Sequence, residues 1–205
     1  SLEEKLGIHA SPTAVMSYGE DKGAVGYLVG EENRGLMHMF TMMNNARHAV
    51  GREGLAISES AYQLALQYAM ERKQGNVIGT ATQATIVEHS DVKRMLMRMK
   101  ALTEAMRGLT YTCAYAFDVA ERATDEEECS RASRRGDLLT PVVKGWCTDN
   151  AQIVASLGVQ IHGGMGFVEE TGAAQYMRDA RILPIYEGTN GIQALDLMGR
   201  KTLRD

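Results

Sequence analysis

The sequence predicts a mainly α-helical protein, an antiparallel helical bundle preceded by a few β-strands. Only 3 of its 205 residues are proline, whereas 13 are methionine, a composition that suits long helices. Three long stretches repeat apolar residues at intervals of three and four, the spacing of one helix face. Residues 1–33 lack this spacing and are rich in glycine, serine and proline.

Two β-like runs stand out in that first segment, residues 13–18 and 24–29, separated by a turn-forming stretch at 19–23. Because an isolated two-stranded ribbon is only marginally stable in water, we expect these runs to be the last strands of a larger sheet. Residues 1–33 are therefore predicted to be the end of a truncated β-domain, and residues 34–205 the helical bundle. This opening favours a fragment of a longer protein.

The helical part divides at its glycines and charge runs. A first helix is predicted from residue 36 to about 72, ended by the glycines at 75 and 79, and a second from about 86 to 122. The dense charge run ATDEEECSRASRRG at 123–136 is predicted to be a solvated loop. A third helix is expected over 138–157, then a glycine cluster at 158–166 and short helices near 171–179 and 191–200. Short connections make these helices an antiparallel bundle.

Composition excludes several classes of protein. A net charge of −4 argues against electrostatic binding to nucleic acid or a membrane surface. Three widely spaced cysteines exclude a disulfide scaffold and favour the reducing cytoplasm. No apolar stretch is long enough to span a bilayer. Neither a glycine-rich phosphate loop nor a Glu-x-x-His pair is present, so we expect no metal site. The five histidines are scattered, and most are expected at the surface or at caps.

Four clusters of polar residues and glycines do not fit a generic bundle. They are Asn44 with Arg47, the helix-ending ERKQG with Arg72 and Gln74, the run QIHGGMGF with Gln160, Gly163 and Gly164, and YEGTNG with Tyr186, Glu187, Gly188 and Thr189. Each has an ordinary alternative: a surface arginine, basic residues at a helix C-terminus, an interhelical loop, and a helix cap. Closely spaced glycines let backbone amides approach an anion or a ring.

Taken in order, these phrases resemble the acyl-CoA dehydrogenases, flavoproteins that introduce an α,β double bond into acyl-CoA thioesters. The resemblance is carried by KLGIHASPTA, GEENRGL, ARHAVGREGLAISESAYQLALQYAMERKQG, VQIHGGMGF and MRDARILPIYEGTNGIQ. Arg47 and Arg72 lie 25 residues apart and Gln160 and Glu187 lie 27 apart, both as in the family. VEHSDVKRMLMRMK and DLLTPVVKGW resemble the longer branch assigned to fatty acyl-CoA or 3-methylmercaptopropionyl-CoA. The resemblance implies a C-terminal four-helix bundle and the end of a middle β-domain.

The resemblance also implies roles for individual residues. Glu187 would be the catalytic base, and Ala46 occupies the position from which some relatives supply theirs. Substrate contacts would come from Arg47, Asn44, Tyr186 and Gly188. The FAD of a neighbouring subunit would meet Arg72, Gln74, Gln160, Gly163 and Gly164, while Thr189 would approach the subunit's own flavin. Gly75 replaces an aromatic residue that often packs near adenine, which puts that one contact in question.

The implied partners are an acyl-CoA substrate, an electron-transferring flavoprotein, and further copies of the chain in a homodimer or homotetramer. Fatty acid β-oxidation in the cytoplasm would be the setting. Two alternatives remain open at this point. An acyl-CoA oxidase would use the same base but let O₂ reoxidise the flavin, and a helical interaction module would keep the fold without the chemistry.

Overall fold

Three long helices dominate the computed structural model, which describes residues 1–79 and 81–203. They are α1 (Gly35–Glu71), α2 (Ser90–Arg122) and α3 (Glu126–His162). Two short helices follow, α4 (Ala173–Ala180) and α5 (Asn190–Gly199), and α5 packs against α3. The mainly helical prediction is therefore confirmed. None of the helices in the described ranges is long and apolar enough to cross a membrane.

The long helices make two kinds of contact, through buried methionines in the main apolar cluster and through glycines where two helices approach closely. Met99 and Met106 of α2 are completely buried in the main apolar cluster. Helices α1 and α3 approach closely: a Cβ added at Gly51 would collide with Val143 Cγ1, and one at Gly54 would lie 3.0 Å from the Cys147 carbonyl oxygen. Glycine inside a helix costs roughly 0.5–1 kcal/mol relative to alanine. Here that cost is offset by the close contact.

A β-hairpin joins α1 to α2. Strands β1 (Lys73–Asn76) and β2 (Gln83–Thr85) pair antiparallel, and a short 3₁₀ helix, Ile86–Glu88, leads into α2. Gly75 and Gly79 have φ of 67° and 85°, a conformation that favours glycine. The predicted end of the first helix is confirmed, but the hairpin was not predicted. Strand β1 is exposed throughout and has no alternating apolar residues to indicate a strand.

The charge run at 123–136 is not a loop, and that prediction is wrong. Helix α3 begins at Glu126, and only residues 123–125 connect it to α2. Asp125 caps the helix by accepting a hydrogen bond from the Glu127 N–H at 3.2 Å. Three glutamates fill the first turn, where negative charge favours the helix dipole. The charged side chains are largely exposed as expected, but on a helix.

The two strands predicted in residues 1–33 do not form. Within these residues, backbone pairing is limited to an isolated antiparallel bridge between Leu2 and Ala14. Val25, Tyr27 and Val29 are almost fully exposed. Within the described ranges no other strand lies beside these runs. An isolated two-stranded hairpin is only marginally stable in water, so the two runs do not pair as strands. The boundary between a β-domain at 1–33 and a bundle at 34–205 stays a prediction.

Candidate active site

The 186–190 loop, which ends the connection from α4 and includes the first residue of α5, contains two consecutive residues in the left-handed region. Glu187 has φ of 54° and Gly188 of 86°. The Gln193 side chain, which is buried, donates from Nε2 to the carbonyl oxygens of Glu187 at 3.4 Å and Gly188 at 3.1 Å. A Cβ at position 188 would lie 2.9 Å from that Nε2. The turn therefore requires glycine at 188 and holds Glu187 in a conformation that non-glycine residues rarely adopt.

Arg47 lies beneath this loop in the interior of the bundle. The residue is 6% exposed, and its Nη1 pairs with Asp196 Oδ2 of α5 at 3.2 Å. Its Nη2 lies 3.7 Å from the position that a Cβ on Gly188 would occupy, and its Nε has no partner among the described residues. The surface-arginine alternative is therefore wrong. The structure therefore places the buried, positively charged Arg47 next to the turn that contains Glu187.

Lys144 of α3 is a member of this site that sequence reasoning missed. The residue is 0% exposed, and its Nζ donates to Asn190 Oδ1 at 2.9 Å. Burial lowers the pKa of Lys144 from 10.5 to about 8; Arg47 lowers it further, whereas Asp149 and Glu187 act in the opposite direction. The signal available in the sequence was a lysine inside the apolar run PVVKGW. A lysine there either lies at the surface or marks a buried polar contact.

The lowered pKa of Lys144 makes stability depend on pH. The unfolded chain holds this proton more tightly than the folded chain. The free energy of unfolding therefore rises with pH between about 8 and about 10.5. Below that window Lys144 is protonated in both states, and its titration does not change stability with pH. Lys144→Met removes the titration. Relative to this variant, the parent should gain roughly 3 kcal/mol of unfolding free energy across the window. Urea unfolding of both proteins at several pH values measures it, and identical pH dependences would contradict the assignment.

Tyr186 and Asn44, which are also predicted to contact substrate, lie in different surroundings. Tyr186 donates from its hydroxyl to Glu53 of α1, and burial first, then Glu53, raises the pKa of Tyr186. Its ring also lines a cavity of about 630 Å³ beside Ile182 and Ile185. Asn44 donates to Asp137 Oδ1 at 3.2 Å; this contact ties α1 to α3 and does not reach the loop.

Thr189 is the N-cap of α5. Its Oγ1 accepts a hydrogen bond from the Ile192 N–H at 3.4 Å, and its side chain is exposed. The ordinary alternative for the fourth cluster makes the carboxylate of Glu187 the cap, whereas the N-cap is Thr189. Glu187 forms the turn with its backbone, and its carboxylate makes no cap contact among the described residues.

A second cavity of about 630 Å³, which we call the hairpin cavity, lies where the end of α1, the β-hairpin and the end of α3 meet. Arg72, Gln74, Gly163 and Gly164 line it together. Gln160 does not line it; it is exposed on the last turn of α3, where its carbonyl oxygen accepts the Gly163 N–H. Two sequence clusters almost ninety residues apart thus form one site, with Gln160 at its edge.

Three aromatic or histidine side chains complete the hairpin cavity and were not predicted. The rings of Tyr68 and His162 stack with centroids 4.4 Å apart and planes 27° apart. His162 Nδ1 contacts the Gly158 carbonyl oxygen at 2.7 Å, and His89 Nε2 contacts the Gln74 carbonyl oxygen at 2.8 Å. These residues come from three separate parts of the chain, so only the tertiary structure brings them together. His162 is buried, unlike the surface role expected for most histidines.

The hairpin cavity fits the flavin dinucleotide that the resemblance implies. A Cβ on Gly163 or Gly164 would meet no described atom within 4 Å, so a side chain there would extend into open space. Arg72 forms no ion pair with any described carboxylate, which leaves its guanidinium free for phosphate oxygens. Among the described residues no group of three histidine, cysteine or acidic side chains could hold a metal ion.

Known proteins similar to this chain belong to one family. The family description "Acyl-CoA dehydrogenase, C-terminal domain" matches residues 33–202. The chain is 58% identical to a 3-methylmercaptopropionyl-CoA dehydrogenase of Ruegeria pomeroyi, covering 100% of this chain and 34% of that protein. The chain thus spans about a third of the length of this relative and of other curated relatives that it matches.

Two solved structures share the fold. An acyl-CoA dehydrogenase of Bacillus anthracis complexed with FAD superposes with a TM-score of 0.81 at 26% identity, covering 97% of this chain and 34% of that one. A chain of the electron transferring flavoprotein structure of Acidaminococcus fermentans superposes with a TM-score of 0.80 at 28% identity, covering 100% and 48%. With the family match over residues 33–202, these likenesses show that the chain belongs to the acyl-CoA dehydrogenase family, in its C-terminal domain.

Proposed function

We propose that the chain is the C-terminal part of an FAD-dependent acyl-CoA dehydrogenase that introduces a trans α,β double bond into an acyl-CoA thioester. The observation that carries the proposal is the left-handed turn at Glu187 and Gly188, which lies over buried Arg47 and is held by Gln193. A carboxylate presented on a fixed backbone suits abstraction of one particular proton.

Residues of this chain would perform the proton transfer. The Glu187 carboxylate takes the α-proton of the thioester, and the Glu187 backbone N–H donates to the thioester carbonyl oxygen, where negative charge develops. The absence of a side chain at Gly188 lets Gln193 approach the turn closely, and Arg47, paired with Asp196, lies next to it. When bound, FAD supplies the acceptor for the β-hydrogen and its electron pair.

The positions of the two sites favour an assembly of several subunits. Arg47 and Arg72 are separated by 25 residues of α1, or about 37 Å of helix. One FAD molecule cannot reach both ends. The hairpin cavity, with Arg72, Gln74, Gly163, Gly164 and neighbouring Gln160, would therefore hold the FAD of another subunit in a homodimer or homotetramer, while Thr189 approaches the subunit's own flavin.

Partners and setting follow from the relatives. An acyl-CoA is the proposed substrate, and 3-methylmercaptopropionyl-CoA is a candidate because of the relative at 58% identity. An electron-transferring flavoprotein is the proposed electron acceptor, supported by the structural likeness to a chain of such a complex. Fatty acid β-oxidation in the cytoplasm is the proposed setting. The cytoplasmic part of this proposal is supported by three free cysteines, two of them buried.

The test is reduction of the bound flavin in the full-length protein that contains this sequence. We expect saturating acyl-CoA to bleach the oxidised flavin band under anaerobic conditions. A panel of butanoyl-, 3-methylmercaptopropionyl- and long-chain acyl-CoA identifies the substrate class. Turnover with an electron-transferring flavoprotein and slow reoxidation by O₂ would distinguish a dehydrogenase from an oxidase. Absence of bleaching with every thioester in a flavin-loaded protein would contradict the proposal.

A further inference from the structure

We propose that Lys144 is a positioning residue that acts on the 186–190 loop. From inside the bundle it orients Asn190, and Asn190 fixes the turn that carries Glu187. The catalytic consequence rests on the proposed function, whereas the mechanical consequence for the loop does not.

The Asn190 side chain docks the loop on α3 with every polar atom occupied. Its Oδ1 accepts from Lys144 Nζ at 2.9 Å. Its Nδ2 faces three acceptors, Asp149 Oδ1 at 2.7 Å, Thr148 Oγ1 at 3.0 Å and the Gly145 carbonyl oxygen at 3.1 Å. A lysine ammonium can only donate, so turning the amide over would place two donors against each other. Lys144 thereby favours the orientation in which Nδ2, with its two hydrogens, faces the acceptors on α3.

The Asn190 backbone transmits this docking to Glu187. Its N–H donates to the Pro184 carbonyl oxygen at 3.1 Å, which closes the chain around the turn. Glu187 lies inside that closed loop, between the two residues that the hydrogen bond joins. Gln193 holds the same turn from α5. A left-handed glutamate persists only where its surroundings determine it, and Lys144 supplies the anchor on the α3 side.

The electrostatic cost of Lys144 points to the same role. It is a completely buried amine, and the charges around it are Arg47 of α1, Glu187 of the loop and Asp149 of its own helix. Burying a charged amine costs free energy unless it is paired, and Lys144 forms no ion pair with any described carboxylate. Packing alone would therefore be served as well by methionine at position 144. The specific contribution of the lysine is its hydrogen bond to Asn190.

The experiment compares four variants of the full-length protein: Lys144→Met, Asn190→Ala, their combination, and Lys100→Met as the matched control. Lys100 is an exposed lysine of α2 that pairs with Glu104, far from the loop. Amide hydrogen exchange is followed by mass spectrometry in peptides covering residues 182–192. Losing a hydrogen bond to a charged group should speed exchange there about tenfold or more in Lys144→Met. The control should match the parent.

Three readouts decide the inference. The double variant should exchange within about threefold of the faster single variant, because Lys144 acts through Asn190. The thermal midpoint of Lys144→Met should not fall at neutral pH, which separates local loosening from general unfolding. Flavin bleaching by acyl-CoA should slow about tenfold or more while half-saturation changes little. If Lys144→Met fails to fold, Asn190→Ala provides the exchange and kinetic measurements.

The outcomes separate this inference from the proposed function. Parent-like exchange at 182–192 in both single variants overturns the inference, as do multiplicative effects in the double variant. Slower bleaching with parent-like exchange overturns it too, since the loop would then be unaffected. If the parent itself is not reduced by any acyl-CoA, the proposed function fails, and faster exchange in the variants still supports Lys144 as the anchor of the loop.

Discussion

Glu187→Gln in the full-length protein is expected to slow flavin reduction by acyl-CoA near the upper end of roughly 10²–10⁴-fold. Glutamine keeps the size of the side chain but has no basic oxygen, and the substitution leaves the backbone N–H in place. Among the described residues, the other carboxylates near the loop already have partners, and Asp149 accepts from Asn190. Asp196 is ion-paired to both Arg47 and Arg200, Glu53 accepts the Tyr186 hydroxyl, and position 46 is alanine. Stopped-flow absorbance after mixing with saturating acyl-CoA measures the rate.

The matched control is Glu59→Gln, the same chemical change on α1 at a residue that pairs with Arg107. It should reduce flavin at the parent rate, and both variants should retain FAD. If Glu187→Gln bleaches within tenfold of the parent, Glu187 is not the base. The double change Ala46→Glu with Glu187→Gly should recover part of the rate, because the resemblance places the base of some relatives at position 46.

Arg72→Ala is expected to weaken FAD binding by about tenfold to a hundredfold, the effect of removing a hydrogen-bonding cation from a phosphate. Arg72 lines the hairpin cavity and pairs with no described carboxylate, so the substitution breaks no ion pair described within the chain. Flavin content per subunit after dialysis, followed by titration with FAD, measures the change. Protein that remains loaded should be reduced by acyl-CoA at the parent rate.

Arg134→Ala provides the comparison for this effect. Arg134 is an exposed arginine near the start of α3 whose Nη1 contacts Ser130, at the opposite end of that helix from Gly163. Its variant should keep the flavin content of the parent. Unchanged FAD affinity in Arg72→Ala would show that the hairpin cavity does not hold the cofactor's phosphates. Arg72→Lys should be intermediate, because lysine keeps the charge but not the planar fork.

The sequence by itself determined the helical part of the fold and the residues of greatest chemical interest. Helices α1, α2 and α5 lie within one or a few residues of their predicted ranges, because apolar spacing and terminal glycines are local signals. The YEGT phrase identified Glu187 through the resemblance, and the structure adds the left-handed turn that presents it. The role of Glu187 as the base stays a prediction.

Other features were decided only by tertiary structure. The start of α3 was hidden because a capping aspartate and a glutamate-rich first turn have the composition of a loop. The strands predicted in residues 1–33 need partner strands that the described residues do not supply. Whether Lys144 is buried depends on what lies opposite α3, and the stack of Tyr68 on His162 joins residues 94 positions apart. Periodicity reports which face of an element is apolar, whereas a site is made by the residues that another element brings against that face.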